Sequence, residues 1–299
     1  DNKIAFRDQI PLTEEEDKVD KITSTFFNIM KPKVGDRRIM GLCIIIPGII
    51  DAENKRILST VIGVGYSDPV VQRFEEAFHD YPFCLLNDTA CFAYAEYVFA
   101  NITEPNFAYI NVSKGVGACL FANGKMLRGA GSNATQFGHF SVDRNGPLCA
   151  CGNHGCVERV VGENALTERA EACGIDLTRF AGRKPLYCDI GAMAEDGDVH
   201  AKELIKDLAV DLSFAISNLI TLFNPSLVVI GGMGVNLGPF FLSNIRDEVQ
   251  NSGFKEFVSN TWIQYSTLGL DSELGGAARY YIDHYYDFFE QMQGGLYAD

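Results

Sequence analysis

The sequence predicts an α/β protein built as two lobes with mixed sheets. Apolar, strand-like runs alternate with segments of helical period along most of the chain. The 299 residues reach the size at which single hydrophobic cores stop growing, roughly 250–300 residues. The content, 47% hydrophobic and 21% charged, is that of a globular chain able to bury a large core.

In chain order, "PLTEEEDKVDKITSTFFNIM" carries a capping box, with Thr13 as cap and Glu16 three residues on. Val19, Ile22, Phe26 and Ile29 follow at helical spacing, so a helix is expected over about 14–31. "IMGLCIIIPGII" reads as a buried strand closed by Pro47-Gly48. "DPVVQRFEEAFHD" reads as a helix capped by Asp68 with Pro69 in its first turn. "PFCLLND" is a strand and "TACFAYAEYVFA" a helix. "NFAYINVSKGVGACLFANGKML" gives two strands and a hairpin turned at Asn123-Gly124. An amphipathic helix runs from about His200 to Phe223 and stops at Asn224-Pro225. "SLVVIGGMG" is a buried strand ending in a glycine turn, and "SELGGAARYYIDHYYDFFEQM" a final helix.

The net charge of −14 disfavours non-specific attraction of these residues to DNA or to anionic membranes, without excluding a basic domain elsewhere. No apolar run reaches the ~20 residues of a membrane span, and "DNKIAFRDQIPL" lacks the features of a signal peptide. The chain has nine cysteines. Six of them, Cys43, Cys84, Cys91, Cys119, Cys173 and Cys188, are scattered, several in apolar runs. Buried free thiols in a reducing cytoplasm fit that pattern better than a disulfide framework.

The other three lie in "CACGNHGCVER" as C-x-C-x4-C: Cys149, Cys151 and Cys156. Thiolates spaced so tightly reach one ion only if the backbone turns sharply, and Gly152 and Gly155 supply that freedom. Zinc favours four Cys or His ligands. His139 and His154 compete for the fourth place. His154 sits so close that chelation by all four groups would be strained, whereas His139 arrives from a separate segment and closes the set more naturally. Four protein ligands leave no open position for water, so the metal is expected to be structural.

"FGHFSVDRNGPLCACGNHGCVE" resembles the signature of the ROK family of repressors, open reading frames and sugar kinases. The matching residues are Gly138-His139, Cys149, Cys151-Gly152, Gly155-Cys156 and Glu158. "IIIPGIID", "LLNDTACFAYAEY", "VSKGVGACLFANGKMLRGA" and "LVVIGGMG" resemble further family segments in the right order, over about residues 41–278. The resemblance implies an actin-like, hexokinase-type (ribonuclease H-like) two-lobe fold around a sugar cleft. Residues 1–110 would form the smaller lobe, rejoined by part of the C-terminal helix, and 111–299 the larger lobe with a zinc loop at 139–156. It implies Zn2+ held by His139, Cys149, Cys151 and Cys156. It places Asn87, Asp88, Gln136, His139 and Glu158 at the sugar, with Asp88 in the position of the kinases' catalytic base. Planar arrays of sugar hydroxyls suit amides and carboxylates that hydrogen-bond in pairs. Taken alone, Asn87-Asp88 reads as a helix cap after a strand.

Three departures from the family's kinases stand out. Their Asp-x-Gly-x-Thr phosphate segment is absent from this chain. Ser113-Lys114-Gly115 stands where Gly-Thr-Gly is usual, so a bulky lysine replaces a residue whose backbone approaches phosphate. Gln136 replaces a glutamate, losing the charge that strengthens hydrogen bonds to hydroxyls. The missing phosphate segment, the altered second one and the acidic charge favour the effector-binding domain of a sugar-responsive transcriptional regulator; the resemblance implies a homodimer or tetramer, and the scattered thiols a cytoplasmic one. Such a regulator reads operator DNA through a winged helix-turn-helix that this chain does not contain. The alternative is an ATP- and Mg2+-dependent, glucokinase-like hexose kinase. Asp88 would then be its base, and Gly115, Gly117, Gly231 and Gly232 would line its nucleotide and phosphates.

Overall fold

The computed structural model describes residues 4–13, 15–51, 56–60, 69–130 and 134–286. The chain folds into two compact units. The first comprises Asp1–Asn101, Gly129–Asn133 and Asp271–Asp299, and the second Ile102–Arg128 and Ala134–Leu270.

In the first unit, helix α1 (Lys18–Thr25) continues through a π-turn, Phe26–Met30, into α2 (Lys31–Val34). The helix starts later than the expected residue 14. Glu16 does reach back to the Thr13 N–H at 2.9 Å, as a capping box requires, but Lys21 also holds its carboxylate. Asp17 takes the cap instead, accepting from the Asp20 N–H. The wider π-turn lets two consecutive aromatics serve one core: Phe26 meets Phe78 and Tyr81 edge-on at 5.3 and 5.2 Å, and Phe27 stacks on Phe78 at 5.9 Å.

Strand β1 (Leu42–Ile46) is followed by the hairpin of β2 (Gly48–Asp51) and β3 (Arg56–Thr60). Helix α3 (Val70–Ala77) buries Val70 and Phe74; its expected cap, Asp68, lies outside the described residues. Strand β4 (Phe83–Asn87) pairs in parallel with β1, from Leu42 opposite Phe83 to Ile46 opposite Asn87. It runs directly into α4 (Asp88–Phe99). The C-terminal helix, Ser272–His284, packs on α4. A methyl group at Gly276 would lie 2.0 Å from the Cys91 carbonyl oxygen, so the crossing requires glycine there. The rest of the expected final helix, from residue 287, falls outside the described residues.

The second unit is organised by a five-stranded mixed sheet in the order β7-β6-β5-β8-β9. Its strands are β5 (Phe107–Val112), β6 (Val116–Ala122), β7 (Lys125–Met126), β8 (Leu227–Gly231) and β9 (Trp262–Tyr265). β5 and β8 are buried at every residue, which is why both read as unbroken apolar runs. The hairpin turns at Asn123-Gly124, both at positive φ.

Short helices α5 (Val157–Val161) and α6 (Glu163–Ala172) lead to α7 (Tyr187–Glu195) and the 25-residue α8 (Val199–Phe223). α8 ends on Asn224 in the left-handed conformation, just before Pro225. It packs against α9 (Gly238–Asn251), and α10 (Lys255–Ser259) follows. Ser213 and Ser217, buried on α8, satisfy their hydroxyls on the carbonyls four residues back. Among the described residues no helix is long and apolar enough to cross a membrane.

Candidate functional site

His139, Cys149, Cys151 and Cys156 converge in the second unit. Their ligand atoms all lie within 4.8 Å of one another. His139 Nδ1 is 3.6 Å from Cys149 Sγ, and Cys151 Sγ is 3.6 Å from Cys156 Sγ. A tetrahedral zinc with Zn–S bonds of about 2.3 Å sets its sulfurs about 3.8 Å apart, so donor set and spacing both fit. Burial, reinforced by the two neighbouring thiols, pushes Cys156 up to about 12. Cys151, exposed, is lowered chiefly by the Asn153 backbone N–H. Three sulfurs crowded together resist ionising jointly; a divalent cation among them reverses that preference.

The loop that carries them is shaped by backbone pairing. Val142 N–H donates to Gly155 O at 2.9 Å, and Gly155 N–H to Pro147 O at 2.9 Å. Gly155 has φ +60°, and a Cβ there would lie 1.8 Å from the Asp143 carbonyl oxygen. Only glycine fits. His154 faces away from the cluster; its Nδ1 is 3.0 Å from Gly146 O. Of the two histidines that compete for the fourth place, His139 is the one beside the sulfurs.

His139 closes a short 3-10 turn, Phe137–His139. A Cβ at Gly138 would meet Val116 O at 1.9 Å, so this turn lies directly on β6. With Nδ1 toward the sulfurs, His139 has Nε2 left for another partner. Gln136 precedes the turn and is exposed. Thr135, just before it, holds φ +67°, unusual for a β-branched residue, with its hydroxyl donating to Ala118 O at 2.8 Å. Glu158 follows the last cysteine, in the first turn of α5. Its Oε2 accepts a long hydrogen bond, 3.4 Å, from the Val116 N–H, and a Cβ at Gly115 would lie 2.5 Å from the same oxygen. The zinc-type loop is therefore joined through Glu158 to the Ser113-Lys114-Gly115 segment, a connection the sequence did not signal.

That segment is itself engaged. Ser113 Oγ donates to Asn111 Oδ1 at 3.0 Å and accepts from the Met233 N–H at 3.1 Å. The Tyr187 hydroxyl and the Glu163 N–H both reach Ser113 O. Lys114 is exposed. Gly117 stands opposite Asn111 in the β5–β6 ladder. Gly231 ends β8, and its missing side chain makes room for the Tyr109 ring. Gly232, at φ +78°, is enclosed by Asn111, Ser113 and Val112.

Asn87 and Asp88 lie in the first unit. Asn87 caps α4, accepting from the Ala90 N–H at 3.0 Å, and its Nδ2 donates to Gly48 O at 2.6 Å. The side chain thereby ties the end of β4 to the Pro47-Gly48 turn. Asp88 lines a cavity of about 460 Å³ with Cys43, Ile45, Pro47, Glu273 and Leu274. Burial raises the Asp88 carboxyl above its ordinary range, opposed by the Thr89 N–H. Glu273 is raised as well, by burial first and then by the charge of Asp88. Glu273 carries no distinct signal in the sequence, because a glutamate in the first turn of a helix is ordinarily there for the helix dipole.

The ROK family profile matches residues 1–283. The xylose repressor of Bacillus subtilis is 26% identical over 250 residues, covering 83% of this chain and 62% of that protein. The DNA-binding transcriptional repressor Mlc of Escherichia coli is 24% identical over 282 residues, covering 92% of this chain and 68% of the repressor. This chain thus spans less than two thirds of the xylose repressor. Among solved structures, a ROK family transcriptional regulator homologous to Escherichia coli Mlc superposes with a TM-score of 0.74 at 24% identity, covering 87% of this chain and 67% of the other. A ROK family glucokinase of Streptomyces griseus, bound to glucose and AMPPNP, gives 0.73 at 24% identity, covering 88% and 86%. These structural likenesses show a ROK hexokinase-like α/β fold, common to regulator and kinase alike. With the family profile spanning nearly the whole chain, and one histidine and three cysteines assembled in space, the protein belongs to the ROK family.

Proposed function

We propose that this chain is the effector-binding part of a sugar-responsive transcriptional regulator. The observation that carries the reading is Ser113. Its hydroxyl takes up the Met233 N–H and the Asn111 side chain, where a nucleotide-gripping turn would keep donors open for phosphate. The similarity to xylose repressor and Mlc supports it. The ligand is a sugar or sugar derivative. Its hydrogen-bonding groups are Asn87, Asp88, Gln136, His139 and Glu158. Zn2+ in the His139, Cys149, Cys151, Cys156 cluster is structural: it holds the loop that carries His139 and the start of α5 that carries Glu158.

In this reading the protein is a cytoplasmic homodimer or tetramer, and operator DNA is bound by a winged helix-turn-helix elsewhere in the protein. Sugar favours one of two conformations, and operator affinity changes by the sugar's differential binding to the two. The test is operator binding by the full-length regulator across a panel that includes xylose, glucose and N-acetylglucosamine. At least one sugar is expected to change the affinity fivefold or more, on the order of ~1 kcal/mol of coupling; operator binding unchanged by every sugar would remove the reading.

One observation favours a kinase instead. Asp88, at the start of α4 with its carboxyl raised by burial, is suited to take a proton from a hydroxyl. In that case ATP and Mg2+ are the cofactors, and the glycines at 115, 117, 231 and 232 flank the nucleotide. Phosphate transfer from ATP to any hexose by this chain decides for the kinase.

A further inference from the structure

Cys43 and Cys84 are 41 positions apart in sequence, yet the parallel β1–β4 ladder sets them directly opposite one another. Residues opposed in a sheet point to the same face, with strands about 4.8 Å apart. That separation lies within the ~4.4–6.8 Å between Cα atoms that a disulfide spans. We propose that Cys43 and Cys84 form a reversible, oxidisable dithiol, a redox-modification site in the wall of the Asp88 cavity.

The two sulfurs differ in a way that assigns their roles. Cys43 is partly exposed and lines the cavity, so a small oxidant reaches it. Cys84 is only 3% exposed. A hydrogen bond between the two thiols lowers Cys43 and raises Cys84, so Cys43 is the more readily ionised of the two. The oxidant is a hydroperoxide, taken as hydrogen peroxide. The Cys43 thiolate attacks one peroxide oxygen, the O–O bond breaks, and the departing hydroxide takes a proton and leaves as water. Cys43 is then a sulfenic acid. The Cys84 sulfur attacks the Cys43 sulfur and the S–O bond breaks. The released hydroxide takes the Cys84 proton as a second water. Two thiols lose two electrons, and one peroxide becomes two waters. A relaxed disulfide holds its Cβ atoms about 3.8 Å apart, closer than two straight neighbouring strands do. The bond is therefore strained and easily reduced, as labile, regulatory disulfides are.

The test is peptide mapping of the full chain after exposure to hydrogen peroxide, with remaining thiols alkylated. Cleavage before aspartates releases Cys43 in residues 36–50 and Cys84 in residues 80–87, apart from Cys91, which follows Asp88. The expected product is the 36–50 and 80–87 peptides joined, lighter than their sum by two hydrogens, and separated again by dithiothreitol. Cys91→Ser leaves this product in place, and Cys43→Ser removes it. Three results overturn the proposal: both peptides fully alkylated after peroxide has oxidised other thiols of the chain, Cys84 joined to Cys91, or Cys43 oxidised to the sulfinic acid without cross-linking. Should Cys43→Ser fail to fold, the mapping of the unmodified chain and of Cys91→Ser decides alone.

Discussion

The chain brings sulfurs together twice, by opposite means. In the second unit, three cysteines and His139 sit on irregular backbone held by turns, in which Gly155 fits against Asp143 where no side chain would. In the first unit, Cys43 and Cys84 sit on two straight strands whose register alone opposes them. The loop is held by its own backbone turns, and its four ligand atoms lie within 4.8 Å of one another. The strand pair rests on the Ile44, Ile46 and Leu85 core and keeps its place with or without a bond between the sulfurs. On the proposed function a bound metal would hold the loop, whereas packing holds the strand pair.

The largest effect expected from this contrast is at the loop. If the cluster holds zinc as proposed, Cys156→Ser should cost about 3 kcal/mol or more and lower the metal content. Melting temperature and metal content check it, and a variant that keeps both would break the contrast. Gly155→Ala should cost about 2 kcal/mol, because it adds a steric clash to a left-handed backbone; urea unfolding reads it. In the first unit, Asn87→Ala removes the α4 cap and the tie to Gly48 and should cost about 1–2 kcal/mol. Metal content should not change. Cys84→Ala should cost about 1 kcal/mol, as for a small buried hydrophobe, and a chelator should leave that difference intact. The mildest test is electrostatic. Since the folded-state pKa of Asp88 is raised above its ordinary 3.8, its contribution to stability is greatest at low pH and is lost as pH rises through the folded value. Asp88→Asn should therefore stabilise the chain at neutral pH, and the gain should vanish as pH falls toward 4.

The same contrast explains what could be read from the sequence. The histidine-cysteine cluster is legible because its three thiols fall within eight residues and the glycines between them announce a turn. Cys43 and Cys84 are not, because nothing local signals which strands pair or in what register. Helix α8 and strand β8 were legible from period and burial, and their ends from Asn224-Pro225 and Gly231-Gly232. The start of α1 differs from the expected one because Thr13 and Asp17 both offer a cap, and it is the Asp17 carboxylate that accepts from a first-turn N–H, that of Asp20. By sequence, Asn87 fits both a helix cap and a ligand residue. The structure shows it as the cap, with its amide nitrogen on Gly48. Glu273 needed the tertiary fold, since only packing of the C-terminal helix brings it to the Asp88 cavity.

Ser113 also bears on how such a chain can change over time. Its hydroxyl joins two segments 120 positions apart, and its carbonyl serves Tyr187 and the start of α6. Replacing it with glycine would release two hydrogen bonds at once and loosen the backbone, before any phosphate could compensate. Single substitutions here therefore run downhill toward the serine and uphill away from it. Any change in what this turn does would then require several coordinated substitutions to arrive together.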